Sequence, residues 1–123
     1  MHKADPMARM NVNKFLQEHR KVVRHSTDFL MLGLRPHIIC ADGLKLSIQA
    51  SKAHYCRPRS NVGPYTAVEV GFPSKRVEEL MPYIDGPDEE ATTTVYGYVP
   101  VEVVEQVIEK HGGVAEIVPL EEG

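Results

Sequence analysis

No apolar run in the 123-residue chain comes near the roughly 20 residues that a membrane-spanning helix needs. The stretch from Met1 to Asp28 is polar and broken up, so no secretory signal is expected there. Cysteine is scarce: Cys40 and Cys56 form no disulfide framework, and reduced thiols in a cytoplasmic setting are expected. Also missing are a phosphate-cradling glycine loop, a nucleophile elbow, a paired-histidine zinc helix and a calcium loop. The carboxylates gather on one late helix and one loop, where solvation accounts for them without acid–base duty. The sequence therefore nominates no catalytic residue, and neither enzyme activity nor a cofactor is expected.

What is present suits an ordinary globular domain. A hydrophobic share of 42% with 25% charged residues is enough to bury a core and argues against wholesale disorder. The net charge of -3 hides an asymmetry. Lys3, Arg9, Lys14, Arg20, Lys21 and Arg24 oppose only Asp5 and Glu18 near the N-terminus, a balance of +4 that leaves -7 on the rest. Such a basic arm reaches for nucleic acid, lies on an acidic surface, or is simply a solvated helix face.

The stretch Pro36 to Ser51, PHIICADGLKLSIQAS, reads as a β-hairpin turning at Asp42-Gly43. A two-residue turn pairs Ala41 with Leu44, Ile39 with Leu46 and His37 with Ile48. Ala41, Leu44, Ile39, Leu46 and Ile48 then share an apolar face, and Ile38, Cys40, Lys45, Ser47 and Gln49 share the wetter one.

Around the hairpin, Val12, Phe15, Leu16, His19 and Val22 or Val23 recur at helical spacing, so an amphipathic helix over 11–25 is expected with Asn11 as its N-cap. Phe29 to Leu34 needs burial. PYTAVEVGF alternates as a strand, with Thr66, Val68, Val70 and Phe72 on one side. Ser74 is the expected N-cap of a short helix that buries Val77, Leu80 and Met81 and stops at Pro82. DGPDEEA reads as a flexible acidic loop. TTTVYGYV supplies another strand, with Tyr96 and Tyr98 together on one face. Pro100 opens the clearest helix, with Val101, Val104, Val107, Ile108 and His111 inward, Glu102, Glu105, Gln106 and Glu109 in water, and Gly112 as the stop. VAEIVPL adds a short edge strand. The expected fold is α+β: an antiparallel sheet of about four strands with helices on one face. Residues 1–30 form a basic tail and helical extension, and 31–123 a single domain.

Three constellations carry chemistry. His37-x2-Cys40 and His54-x-Cys56 hold zinc-ligand types, but residues three apart on a strand project to opposite faces, so no metal is expected. Cys56 beside His54 and Arg57 lacks any demonstrated base or orienting group. The loop from Lys52 to Gly63 has no acidic residue. Its Lys52, His54, Arg57 and Arg59, with Tyr55 and Tyr65, are the candidates for holding phosphates and stacking a base. Tyr96 and Tyr98, with the acidic positions Glu102, Glu105 and Glu109, are the candidates for a dimer seam or partner patch.

The phrases LGLRPHIICADGLKLSIQAS, HYC.PR, GPYTAVEVGFPS, LMPYI and VYGYVPVEVVEQVIEKHGG, from Met31 to Gly113, resemble a group of small uncharacterised proteins of tailed bacteriophages and prophages. The resemblance covers about two-thirds of the chain and makes the basic helix before it an extension or upstream start. It carries no assigned residues. It implies a phage accessory protein of the bacterial cytoplasm, a non-enzymatic binder of a host or phage macromolecule, with inhibition of host defence among the roles of such proteins. A homo-oligomer without membrane contact is expected. The alternative, read from the basic loop, is a nucleotide or nucleic-acid binder.

Overall fold

Asp42-Gly43 does reverse the chain, but through three residues rather than two. In the computed structural model, which describes residues 10–20 and 35–119, the hairpin consists of β1 (His37–Cys40) and β2 (Lys45–Gln49). Gly43 N–H donates to the Cys40 carbonyl at 2.9 Å and Cys40 N–H to the Leu44 carbonyl at 2.7 Å. Gly43 alone in the loop has a positive φ, 97°. Asp42 is spared the left-handed conformation that a two-residue turn would impose, and its Oδ1 instead accepts Leu44 N–H at 3.1 Å. The expected register therefore moves by one residue: Ile38 pairs with Leu46 and His37 with Ser47. A one-residue slip exchanges the faces of β1. Ile38 and Cys40 join Leu44, Leu46 and Ile48 in the core, and Ile39 turns the other way.

Three further strands, β3 (Ala67–Gly71), β4 (Val95–Pro100) and β5 (Val114–Val118), complete an antiparallel sheet in the order β4-β3-β2-β1-β5. The fold is α+β, with five strands because the short edge strand forms and pairs with β1. Strands β1 to β4 follow one another as a meander. Helix α2 (Val101–Lys110) then carries the chain from β4 at one edge to β5 at the other, burying Val104, Val107 and Ile108. Gly112 and Gly113, at φ 95° and 85°, end it. The hairpin loop docks on that end: Ala41 N–H reaches the Gly113 carbonyl at 3.0 Å, and Asp42 Oδ2 lies 2.6 Å from His111 Nδ1.

Helix α1 (Val12–Glu18) is no separate extension, since Val12, Phe15 and Leu16 belong to the same core cluster as the sheet and α2. Asn11 caps it as expected, accepting Lys14 N–H at 2.9 Å. Glu105, expected in water, is half-buried and accepts Val12 N–H at 3.0 Å. The helix ends seven residues short of the expected His25. One cause is visible: the Leu16 carbonyl is taken by Arg35, and Arg20 N–H falls back on Gln17 at 3.5 Å. Ser74 does not cap a helix either. Its hydroxyl accepts Lys45 N–H at 2.9 Å, and the following segment is a 3₁₀ helix, Glu78–Tyr83, that contains Pro82 and buries Leu80. A 3₁₀ turn, Asp88–Glu90, lies within the acidic loop. Residues 1–9, 21–34 and 120–123, including the Phe29–Leu34 stretch and the acidic end, lie outside the described residues. Among the described residues no helix is long and apolar enough to cross a membrane.

Arg35 gathers these pieces. It is 1% exposed, and burial lowers its pKa against the opposing pull of Tyr65. Its Nε donates to the Leu16 carbonyl at 3.1 Å and its Nη1 to the Ala50 carbonyl, while its backbone and the Gln49 side-chain amide bond each other in both directions. Arg35→Ala leaves two buried carbonyls without those donors and empties a large volume. A loss of about 3 kcal/mol is expected from the denaturant midpoint. Gly112→Ala is also destabilising, because its Cβ would meet Ala41 Cβ at 2.7 Å at a positive φ; a drop in melting temperature checks it.

Candidate functional site

A strap formed by His54 to Arg59 runs along β3 and β4, and hydrogen bonds to both strands set its position. Arg57 N–H donates to the Ala67 carbonyl at 2.9 Å and Thr66 N–H returns to Arg57 at 2.8 Å. Tyr55 N–H donates to Glu69 Oε1 at 3.0 Å, and Tyr98 N–H donates to the Tyr55 carbonyl at 3.0 Å. The last bond depends on an irregularity in β4. Strict alternation would send Tyr96 and Tyr98 to the same face, as the sequence led us to expect. Instead the β3–β4 register shifts between Val68 and Val70, and Tyr98 adopts φ 55°. For a bulky residue this backbone is uncommon, and bulges recur where a side chain is re-aimed.

The shift separates the two tyrosines. Tyr96 is fully buried, with its hydroxyl on the Ala91 carbonyl at 2.6 Å, so it cannot serve as a partner contact. Val99 fills the core in place of Tyr98, which is turned out and 39% exposed. Beside it lies Tyr55, 37% exposed, packed directly on Gly97: a Cβ on Gly97 would stand 3.1 Å from the Tyr55 Cβ. The two rings are 5.8 Å apart and tilted. The Arg57 guanidinium sits 5.0 Å over the Tyr98 ring and that of Arg59 sits 5.4 Å over the Tyr55 ring. Both arginines are exposed, and among the described residues neither pairs with a carboxylate. A groove of about 210 Å³ runs between the two tyrosines and Tyr83, Ile84 and Asp85.

The basic loop is thus divided. Arg57, Arg59 and Tyr55 come together with Tyr98, a residue that sequence reasoning had assigned to another patch. Lys52 is exposed, its backbone tied to Asn61 Oδ1 at 3.0 Å. His54 and Tyr65 are buried and cannot hold an external anion. The Tyr65 hydroxyl donates to the Ser60 carbonyl at 2.7 Å, while its backbone is clasped by the Asn13 side chain. His54 Nδ1 lies 2.6 Å from Ser51 Oγ. Burial, then Arg35 and Arg59, lower the His54 pKa and favour the neutral ring, and the Ser51 oxygen also accepts Ala53 N–H at 3.0 Å. This Ser–His pair resembles half a triad, but Ser51 is 2% exposed and no substrate reaches it.

The thiols are equally secluded. Cys40 lies in the core while His37 is on the other face, and burial, aided by Asp42, pushes the Cys40 pKa up to about 11. Burial likewise raises that of Cys56, which bonds the Ser51 and Pro58 carbonyls. Neither is in a disulfide, and among the described residues no group of three or more His, Cys, Asp or Glu is gathered as for a metal ion. Glu102 and Glu109 are exposed on α2, well separated in role from Glu105. Compared with known protein families, curated proteins and solved structures, the chain matches none.

Two measurements follow from this geometry. Ellman's reagent should label neither cysteine in the folded protein within the time that labels both in denaturant; fast reaction of Cys56 in the native state would contradict its burial. Burial, opposed by the Tyr55 N–H, raises the Glu69 pKa, so its ionised form costs the folded state stability as pH rises. Glu69→Gln keeps an acceptor for Tyr55 and removes the charge. It should raise the melting temperature at mildly alkaline pH, and the gain should vanish as pH falls through the carboxylate range.

Proposed function

We propose that the chain is a non-enzymatic accessory protein, of the cytoplasmic phage or prophage kind that its phrases resemble, and that it works by gripping a protein surface through Tyr55, Arg57, Arg59 and Tyr98. The observation that carries this reading is the placement of two exposed guanidiniums, neither in a salt bridge among the described residues, over two exposed tyrosine rings on a pinned backbone. Tyrosine and arginine dominate binding energy at protein interfaces, because they present large rigid area and directed donors at little entropic cost. The strap needs no reordering before use, which removes part of the cost of association.

Nucleotide or nucleic-acid binding is the second reading, favoured by the same pairing of rings with guanidiniums. The surroundings weigh against it. Asp85 lines the groove, the exposed Asp88, Glu89 and Glu90 follow it in the chain, and a polyanion drawn to two arginines would meet this acidic segment. Inhibition of host defence is a role that such a gripping surface can perform, and the identity of the partner decides it.

The test is affinity capture from phage-infected cells, comparing the wild type with Tyr98→Ala and with Arg57→Ala combined with Arg59→Ala. Both variants should lose the same protein by at least about tenfold, with wild-type capture persisting through moderate salt. Capture of nucleic acid that disappears steeply with salt would favour the second reading. Undiminished capture by both variants would overturn the platform as the gripping surface.

A further inference from the structure

Resting on the reading of this platform as a protein-binding surface, we infer that one surface it grips is its own counterpart on a second copy of the chain, in an isologous dimer across the 210 Å³ groove. A two-fold contact requires a patch that is complementary to itself. This one has an aromatic seam, Tyr55 and Tyr98 facing Tyr83 and Ile84, and carries charge of both signs. Arg57 and Arg59 supply the positive part. Asp85, which lines the groove, supplies the negative part, and the exposed turn of Asp88, Glu89 and Glu90 follows it in the chain. Rotation about an axis through the groove lays the arginines of each copy against the carboxylates of the other and closes the tyrosines together.

Two features suit this face to association through side chains. The outer edge of β4 is closed to strand addition: Asp85 N–H donates to the Val95 carbonyl at 2.9 Å, Ile84 bridges Tyr96, and Tyr98 N–H is spent on Tyr55. Copies that meet at this end of the sheet therefore meet by side chains. A guanidinium lying over a ring also keeps its in-plane N–H fork for a carboxylate, so the intramolecular stacking and the intermolecular ion pair are compatible.

Sedimentation equilibrium over a wide concentration series tests the inference. The wild type should move from 13.8 kDa toward twice that mass. One charge-reversed chain, Arg57→Glu with Arg59→Glu, and another, Asp85→Arg with Asp88→Arg, should each have dimerisation weakened by at least about a hundredfold, because like charges then face each other twice. Mixed in equal amounts, the two variants should form a heterodimer, since every contact again joins opposite signs. Circular dichroism confirms that each variant is folded, and the heterodimer itself would prove both competent. A wild type that stays at 13.8 kDa throughout, or variants that dimerise as the wild type does, would overturn the inference. Loss of partner capture on Tyr98→Ala in a strictly monomeric protein would leave the platform reading intact while removing the dimer.

Discussion

One backbone hydrogen bond, from Tyr98 N–H to the Tyr55 carbonyl, holds the tyrosine–arginine surface in place, and it exists because β4 breaks its own alternation. With regular pleating, Tyr98 would turn inward beside Tyr96. The positive φ at Tyr98 turns both its ring and its amide toward the strap instead. The conformation costs on the order of 1–3 kcal/mol, and persists where surrounding contacts over-determine it. Those contacts are present: Val99 takes the vacated core position, Gly97 lets Tyr55 lie on the strand, and Glu69 and Ala67 hold the strap on either side of the crossing.

Beneath that surface the domain is assembled by polar cross-ties as much as by its core. Arg35 joins the end of α1 to the end of β2, Glu105 of α2 holds the start of α1, and His111 with Asp42 fastens the hairpin loop to the end of α2. The Arg35 and Glu105 ties satisfy backbone groups that would otherwise go unpaired, while His111 and Asp42 join two side chains at the surface. Removing Arg35 therefore both loosens a contact and leaves orphaned carbonyls, which is why a buried tie of this kind costs more to break than an exposed ion pair such as Lys14 with Glu18.

The elements with strong local signals were legible in the sequence: α2 from its valine stripe, Pro100 and Gly112, the cap at Asn11, the alternation of β3, and the reversal at Asp42-Gly43. Register was not. Whether Gly43 is the second residue of a two-residue loop or the last of a three-residue one is a matter of Asp42 avoiding positive φ, and that single choice decided whether Ile38 or Ile39 entered the core. The bulge at Tyr98 left no mark on a sequence that reads VYGYV. Arg57 and Arg59 were recognisable as exposed cations on a loop. Their juxtaposition with Tyr98, some forty positions on, is a property of the sheet. His54 and Tyr65 were misassigned for the opposite reason, since polar residues in a basic loop gave no sign that Ser51, Ser60 and Asn13 would satisfy them in the interior.

Tyr55, Arg57, Arg59 and Tyr98 form one platform only while the strap is fixed over β4 in solution. Amide hydrogen exchange at Tyr98 measures this most directly, because its N–H has no strand partner and its protection comes from the Tyr55 carbonyl. Protection of the Tyr98 amide comparable to that of its neighbours in β4 is the result predicted. Exchange at the rate of an open loop, with Val95 and Tyr96 protected, would mean that the strap is not held and that the proposed platform does not persist in solution.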